Sequence, residues 1–181
     1  MVNRIDTLID VARELKKRGE ERVRIFVYGG GTELSRLQEA VRSEGLSNIA
    51  IKGRVDKTFI PYILSKCDLN LMHNSVHPEI FRFGTSLNKT FDYLASGKPT
   101  LCNFTFGYDF VTENGCGLCK AFPTVEAYAD AILGFYHMGK AEYDAYCENA
   151  LRTAKLFDYA TLTKRYIAAI EGETLPDTAR E

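Results

Sequence analysis

A loop of small residues followed by a charged helix start is the stretch of this sequence best suited to chemistry. Gly84, Thr85 and Ser86 lead into an apolar helical pattern in which Lys89 and Asp92, three positions apart, share one face. Backbone amides at a helix start bind phosphate groups, and Lys89 would add a full positive charge. A carboxylate such as Asp92 can accept hydrogen bonds from two hydroxyls of a ribose. A solvated lysine–aspartate pair is the alternative interpretation.

A second glycine-rich turn follows the first strand-like run. Gly29, Gly30 and Gly31 lie between that run and a helical pattern, where a turn can point its amides at an anion beside the helix start. The spacing lacks the third glycine of the dinucleotide-binding fingerprint. Taken alone, the three glycines are explained slightly better by a tight turn that only begins a helix.

Polar residues also follow two other strand-like runs. Arg54 comes after Gly53 at the end of the second run, where a base could lie against backbone groups while the guanidinium reaches a phosphate or stacks on the ring. A solvated arginine is an equal alternative. In the long loop after the third run, His73, His77 and Glu79 could orient a sugar, although a loop histidine is more often polar surface. No second ligand pair has a suitable spacing, so we expect no metal site.

The five cysteines indicate packing rather than redox or metal chemistry. Cys116 and Cys119 form a C-x-x-C pair, but the pair bridges a helix end and a strand, and zinc needs about four ligands. Cys67 and Cys102 fit core positions. An odd number of cysteines, scattered through a chain of this size, is typical of a reducing cytoplasm.

Strand-like and helical patterns alternate along the first two thirds of the chain. Strand-like runs cover residues 22–28, 48–53, 68–73, 98–104 and 117–122. Helical patterns cover residues 5–15, 32–44, 57–67, 87–95 and 108–115, and three further helices follow between residues 124 and 171, before a loose tail over 172–181. This order predicts right-handed β-α-β units and a parallel sheet with helices on both faces. Ligands bind such sheets beyond the carboxyl ends of the strands, and the three candidate loops share that edge.

Composition and charge exclude several classes of protein. The 181 residues fit one domain, with 45% hydrophobic and 26% charged residues. The net charge of -1 provides no bulk attraction to nucleic acid or to an anionic membrane. No apolar run in the sequence is long enough to span a bilayer.

Three segments together resemble the carboxyl-terminal half of group 1 glycosyltransferases, which are retaining enzymes of the GT-B architecture. They are the run from RIFVYGGG to KCDLNLM, the segment GTSLNKTFDYLASGKPTL, and VTENGCGL. The segment LNKTFDYLASGKP is the most specific, and the resemblance extends from about Asn3 to about Glu171. It implies an α/β fold, with a Rossmann-like three-layer α/β/α domain over residues 1–171 that binds a nucleotide-diphosphate sugar.

The resemblance also assigns roles to individual residues. The family segment that contacts the diphosphate matches five consecutive positions here: Thr85, Ser86, Leu87, Asn88 and Lys89. We expect Asn88 and Lys89 to take part in catalysis. The family segments that face the nucleotide and pack on its base match four positions: Gly30, Gly31, Arg54 and Val55.

Two carboxylates of the family are altered in this sequence. Asp92 stands where the family has the glutamate that binds the ribose hydroxyls, and it is one methylene shorter. The other family glutamate would fall at Gly84, which has no carboxylate. The resemblance therefore implies that direct recognition of the donor sugar by that carboxylate is lost or is taken over by a neighbour such as Glu79.

The implied reaction is transfer of a hexose, with retention, from a UDP- or GDP-sugar to a glycan or lipid-linked acceptor in cell-surface polysaccharide synthesis. This architecture needs no catalytic metal or other cofactor, because backbone amides, a helix start and Lys89 offset the charge of the leaving diphosphate. One alternative is a GT-B sugar-nucleotide epimerase, which would carry an additional acid/base carboxylate pair. The other is a non-catalytic nucleotide-binding scaffold domain.

In the family, a strand and an amino-terminal acceptor-binding domain precede the helix that opens this sequence. We therefore expect a donor-binding fragment that needs that domain and transfers little alone, with any contact to the inner face of the membrane made through the other half. Without the family's first strand, runs 22–28 and 68–73 lose their common neighbour. We expect a gap between them rather than direct pairing, because the helices on both faces have the size and spacing that suit a six-stranded sheet. An unpaired strand edge can also pair with a further strand.

Overall fold

The computed structural model describes residues 4–75, 78–85 and 87–172. Within those residues the helices are α1 (Asp6–Lys17), α2 (Leu34–Ser43), α3 (Ile60–Ser65), α4 (Pro78–Phe81), α5 (Asn88–Ala95), α6 (Phe110–Glu113), α7 (Val125–Tyr136), α8 (Lys140–Ala154) and α9 (Tyr159–Ile170). The strands are β1 (Ile25–Tyr28), β2 (Ile49–Gly53), β3 (Asn70–Met72), β4 (Thr100–Cys102) and β5 (Gly117–Cys119).

Helix α1 shows how apolar spacing builds the layer of helices over the sheet. Its buried side chains recur at helical intervals: Leu8, Ile9, Val11, Ala12 and Leu15. Lys16 and Lys17 occupy the last turn, where positive charge interacts favourably with the helix dipole. The chain then leaves the helix through Gly19, whose φ of 81° is readily adopted only by glycine.

All the strand pairs are parallel, which confirms the predicted sheet type. β1 pairs with β2, with Ile25 opposite Ile49. β4 lies between β3 and β5, and Thr100 is opposite both Asn70 and Gly117. In the described part of the chain β1 and β3 do not pair, so the strands form one two-stranded and one three-stranded sheet. The prediction that these two strands would not close up on each other is confirmed.

Helices bury both faces of the three-stranded sheet. Leu101 and Cys102 are fully buried neighbours on β4, and their side chains point to opposite faces because successive residues of a strand alternate. Leu101 belongs to the core formed with α1, α2 and α7, which also contains Ile25 and Ile49 from the two-stranded sheet. Cys102 belongs to a second core formed with α5, α6 and α8. The two sheets therefore share the first layer of helices.

Several local predictions are corrected by the structure. The segment predicted as a loop from His73 to Ser86 contains α4, which the sequence pattern missed because four residues do not complete an apolar period. Cys67, predicted in the core, is half-buried, and its Sγ donates to the carbonyl of Ile63 at 3.4 Å. Of the predicted tail, Gly172 is described and residues 173–181 lie outside the described residues. None of the described helices is both long and apolar enough to cross a bilayer.

Candidate functional site: the carboxyl ends of the strands

The loops that follow β1 and β2 form one surface. The Gly29 amide donates to the carbonyl of Gly53 at 2.8 Å, which extends the β1–β2 ladder by one bond. Beyond it, a Cβ placed on Gly30 would lie 2.5 Å from Nε of Arg54, so the arginine side chain covers the glycine. The structure thus brings together Gly30 and Arg54, two residues that the sequence placed in the same site.

The remaining residues of this surface are open to a ligand. Gly30, Gly31 and Arg54 are exposed, and Val55 is half-buried beside them. A Cβ on Gly31 would meet nothing within 4 Å. No ion pair with Arg54 is described within the structure's residues, and an unpaired guanidinium can stack on a planar base or bind a phosphate.

The turn before α5 is held by backbone contacts. Gly84 has a φ of 107°, and a Cβ at this position would lie 3.0 Å from the carbonyl oxygen of Gly107. The amides of both glycines donate to the carbonyl of Phe81, at 3.0 Å from Gly84 and 2.9 Å from Gly107. Any side chain at position 84 would be strained, which gives a physical reason for the carboxylate expected from the family to be missing there.

The first turn of α5 offers free backbone donors. Leu87 precedes the helix in extended conformation and provides no side-chain cap, and its carbonyl accepts the first amide hydrogen bond, from Thr90 at 2.8 Å. The amides of Asn88 and Lys89 therefore lack partners in the helix, as expected at a helix start. Thr85 is half-buried before this turn, and Ser86, predicted for the same site, lies outside the described residues.

Lys89 is half-buried at the start of α5. Desolvation by burial lowers the pKa of its ammonium group. Asp92, which shares its helix face, is exposed, and no salt bridge between the two is described for this part of the chain. Lys89 and Asp92 therefore do not form the surface ion pair that was the alternative interpretation of the sequence. A partly desolvated ammonium group without a carboxylate partner strongly favours an incoming anion.

His73 is buried rather than part of the polar surface. Its Nε2 lies 3.2 Å from the carbonyl oxygen of Arg4, so this nitrogen donates and Nδ1 is left as an acceptor. Burial lowers its pKa to about 4, and the positive charge of nearby Lys89 adds to that effect. Of its loop neighbours, Glu79 is exposed on α4 and His77 lies outside the described residues.

The loops after β3 and β4 are tied by a pair of asparagines. Asn103 accepts the amide of Asn74 through Oδ1 at 2.8 Å, and its Nδ2 donates to the carbonyl of Asn74 at 2.8 Å. Both side chains are buried. Sequence analysis missed this brace, because an asparagine in a loop signals a turn at least as often as a tertiary contact.

A cavity of about 440 Å³ opens beside this brace, between the starts of α1 and α7. Its lining includes Arg4, His73, Asn103, Thr124 and Tyr128. The hydroxyl of Tyr128 and Nδ1 of His73 are buried, and neither has a hydrogen-bond partner among the described residues. Sequence analysis did not foresee this cavity, because its lining comes from segments that are far apart in the chain.

The cysteines contact different neighbours. Cys116 Sγ donates to Oγ1 of Thr153 at 3.2 Å, while Cys119 lies opposite Cys102 on the neighbouring strand. The structure therefore separates the two members of the C-x-x-C pair. All five cysteines are free thiols, and no group of three potential metal ligands occurs among the described residues.

Comparison with known proteins provides an independent test of the fold. A family model described as "Glycosyl transferases group 1" matches residues 2–153. The search of curated proteins gave no match.

Solved structures of glycosyltransferases superpose on nearly all of the chain. WaaG, a glycosyltransferase involved in lipopolysaccharide biosynthesis, has a TM-score of 0.66 and 19% identity over 94% of this chain and 44% of its own. TarM of S. aureus, crystallised with UDP among other ligands, has a TM-score of 0.69 and 22% identity over 90% of this chain and 31% of its own. HepE of Anabaena, crystallised with UDP-glucose, has a TM-score of 0.60 and 16% identity over 90% of this chain and 53% of its own. The chain thus spans about a third to a half of these proteins and has their GT-B fold over that part.

Proposed function

Because this chain belongs to the group 1 glycosyl transferase family, we propose that it is the donor-binding domain of a retaining glycosyltransferase. In this proposal a hexose passes from a UDP- or GDP-sugar to a glycan or lipid-linked acceptor in cell-surface polysaccharide synthesis. The UDP and UDP-glucose named for TarM and HepE, and the lipopolysaccharide role named for WaaG, support the substrate class. The acceptor would be held by an amino-terminal domain.

The observation that carries the proposal is the start of α5. Lys89 is half-buried there, has a lowered pKa and faces no described carboxylate partner, next to backbone amides with no acceptor in the helix. A helix start combined with a desolvated cation stabilises a diphosphate. We assign the diphosphate to the amides of residues 85–87, with Asn88 and Lys89.

The nucleoside would extend from this point along the strand ends. Asp92, exposed three residues after Lys89, would accept the ribose hydroxyls. The base would rest against the surface of Gly30 and Gly31, where the Arg54 guanidinium can stack on it.

Transfer breaks the bond between the anomeric carbon of the sugar and the diphosphate oxygen, and that oxygen takes the bonding electrons. The hydroxyl oxygen of the acceptor bonds to the anomeric carbon, and its proton passes to the leaving diphosphate. The added negative charge develops next to Lys89 and the α5 amides, which are already oriented toward it, so this domain would need no catalytic metal. With Gly84 unable to carry a carboxylate, Glu79 on α4 is the neighbouring residue we assign to the sugar.

Nucleotide binding tests the assignment directly. We expect Lys89→Ala and Asp92→Ala each to weaken UDP or GDP binding by about 1–3 kcal/mol, the loss typical of a charge-assisted hydrogen bond. Calorimetric titration of the 181-residue chain measures this loss. Two matched controls lie on the loops that enter β4 and β3 from the opposite edge, Lys98→Ala and Asp68→Ala, and they should bind as the parent does.

Two results would count against the proposal. Equal losses in the control variants would show a general charge effect rather than a site. Parental binding by both Lys89→Ala and Asp92→Ala would place the nucleotide elsewhere. Mixing the chain with an encoded acceptor-binding domain and following release of UDP or GDP from the sugar nucleotide then tests transfer itself.

A further inference from the structure

Two aromatic side chains beside the turn before α5 are largely exposed. Phe83 has 82% of its surface accessible and Tyr108 has 61%. Burial of an aromatic ring is strongly favourable, and the neighbouring rings of the same two segments are all taken into the core formed with α5, α6 and α8: Phe81, Phe104, Phe106 and Phe110. Rings left outside a core that buries their neighbours indicate a contact surface.

The two exposed rings are carried by segments that touch through their backbones. A Cβ on Gly107 would lie 2.1 Å from the carbonyl oxygen of Arg82 and 3.5 Å from the amide nitrogen of Gly84. Phe83 lies between those two contacts, and Tyr108 follows Gly107. The side chains therefore start from adjacent backbone positions. No contact between their rings is described for this part of the chain, so each ring remains accessible to a ligand.

The backbone of Tyr108 adopts a conformation that costs free energy. Its φ of 60° is in the left-handed region, where the Cβ of any residue other than glycine is crowded. The Tyr108 carbonyl accepts the Phe110 amide at 3.0 Å, and the Asp109 side chain accepts the Thr112 amide at 3.0 Å, so the turn into α6 is fixed. An exposed ring buries too little surface to explain a tyrosine at such a position, and strained residues concentrate at functional sites.

Each ring is supported on one side by a neighbouring side chain. Cζ of Arg82 lies 4.3 Å from the centroid of the Phe83 ring, in a cation–π contact that covers one face. The Tyr108 ring leans on buried Phe110, at 6.3 Å between centroids and 52° between planes. Because these contacts restrict the rings before a ligand arrives, stacking on the open faces costs less side-chain entropy.

A pyranose ring suits this surface better than a lipid chain or a nucleobase does. One face of a hexopyranose carries several C–H bonds, whose partial positive charge is attracted to the negative face of an aromatic ring. Its hydroxyl groups need polar partners, and exposed Arg82 and half-buried Asp109 flank the two rings with a donor and an acceptor. A lipid chain would desolvate both charged groups without pairing them. The base has its own place beside Arg54 in the proposed function.

We propose that Phe83 and Tyr108 form an aromatic platform for a hexopyranose unit of the acceptor glycan. This inference rests on the proposed function, because it takes the donor diphosphate to lie at the start of α5. The bond to the anomeric carbon is then broken beside Gly84, where the acceptor sugar must approach. The donor hexose stays attached to the diphosphate and is assigned to Glu79, whereas the exposed rings extend beyond the turn. This domain thus contributes to the choice of acceptor.

Saturation-transfer NMR with simple glycosides tests the platform. The 181-residue chain is titrated, with and without UDP, with the methyl pyranosides of glucose, galactose, mannose and N-acetylglucosamine. We expect at least one of them to bind, and Phe83→Ala and Tyr108→Gly each to weaken that binding by about fivefold or more. Phe83→Tyr and Tyr108→Phe keep an aromatic face, and their affinities should stay within about twofold of the parent's.

Tyr62→Ala is the matched control. Tyr62 is 64% exposed on α3, and Nζ of Lys66 lies 5.4 Å from its ring centroid, so it resembles Phe83 in exposure and in its cation contact. Its removal should leave glycoside binding unchanged. Tyr108→Gly should have a Tm at or above that of the parent, because glycine adopts a φ of 60° without strain. Its loss of binding would then not come from unfolding.

Several results would overturn the platform. Glycosides that do not bind, or that bind equally well to Phe83→Ala and Tyr108→Gly, show that the rings hold no sugar. An equal loss in Tyr62→Ala shows unspecific stacking. If the two variants weaken UDP-glucose more than UDP, the rings hold the donor sugar. If they instead reduce sedimentation with phosphatidylglycerol vesicles and leave glycoside binding intact, the rings contact a membrane.

Failure of the proposed function gives a different pattern. A chain that binds a glycoside at Phe83 and Tyr108 but does not bind UDP or GDP would keep its sugar platform and lose the proposed donor site. A chain that binds UDP through Lys89 but no glycoside would keep the donor site and lose the platform. Titrating UDP and the glycosides separately into the same variants distinguishes these two cases.

Discussion

The two glycine turns at the carboxyl ends of the strands differ in what packs against them: a side chain covers one, and backbone covers the other. Above Gly30 lies the side chain of Arg54, whose Nε would be 2.5 Å from an added Cβ. Against Gly84 lies the backbone carbonyl of Gly107, and both glycine amides donate to Phe81. A side chain can rotate away, but a hydrogen-bonded backbone cannot move without disturbing its neighbours.

The difference in rigidity between the two turns fits the role that the proposed reaction gives to each of them. The leaving diphosphate needs donors fixed in advance, because donors that must reorganise during the reaction stabilise the transition state less. A base that is bound but not transformed tolerates an adjustable partner. The rigid turn adjoins Lys89 and the adjustable one presents Arg54, so in the proposed reaction the first turn would serve catalysis and the second would serve recognition of the base.

Gly107→Ala should disturb the rigid turn most. Its Cβ would lie 2.1 Å from the carbonyl oxygen of Arg82, and the clashing atom belongs to the backbone. We expect a loss of about 3 kcal/mol in the free energy of unfolding, which corresponds to roughly 6–12 °C in Tm for a domain of this size. Calorimetry measures the shift, and UDP binding should fall with it.

Gly134→Ala is the matched control. Gly134 is exposed within α7, and a Cβ there meets nothing within 4 Å, so alanine should stabilise the helix by up to about 1 kcal/mol. If Gly107→Ala has the stability of the parent while Gly134→Ala is more stable, the backbone of residues 82–84 is not rigid. The two turns would then not differ in rigidity.

The sequence predicted the order and type of the main elements well, because their signals are local. The apolar spacing of α1 and the β-branched run of β1 each specify their own structure, and the parallel pairing follows from alternation. The lack of pairing between β1 and β3 was also predictable, but only from the resemblance to a family. No local sequence pattern indicates which strands are neighbours in a sheet.

The close contacts of the site could not be predicted in the same way. That Gly84 faces Gly107, or that His73 is buried against Arg4, depends on residues more than 20 positions apart in the chain. Sequence analysis treated His73 as a loop residue because its contacts are distant in the chain: the carbonyl of Arg4, and the ring of Tyr128, on which it stacks at 5.7 Å between ring centroids. Polar residues in loops acquire their environment from tertiary packing, which periodicity does not encode.

The pH dependence of nucleotide binding tests whether the charge of Lys89, next to the rigid turn, contributes to affinity. Burial lowers its pKa in the free protein, so the ammonium group loses its proton at a lower pH than an exposed lysine would. A bound diphosphate favours the charged form, and affinity should therefore fall as pH rises through that lowered pKa, by less than about tenfold per pH unit. Titrations with UDP across the alkaline range measure the fall.

Two variants of Lys89 separate this effect from general alkaline weakening. Lys89→Arg keeps its charge throughout the range, and Lys89→Met has none, so both should show a flatter pH profile than the parent. Stability has the opposite sign: because the folded-state pKa of Lys89 lies below its unfolded value, its contribution to the free energy of unfolding increases as pH rises between the two. A parent profile identical to that of Lys89→Met would show that Lys89 does not contact the ligand.

Gly30→Ala should have the smallest effect, although its added Cβ would also lie well inside contact distance. The atoms it meets are Nε, Cγ and Cδ of Arg54, at 2.5 to 3.0 Å, and all of them belong to an exposed side chain that can take another rotamer. We expect a change in Tm of about 2 °C or less, and an affinity for UDP within a few-fold of the parent. In Arg54→Ala, which removes the clashing side chain, Gly30→Ala should cost still less, so a double-mutant cycle reports the contact. A loss as large as that of Gly107→Ala would mean that Arg54 is held as firmly as backbone, and the two turns would then be equally rigid.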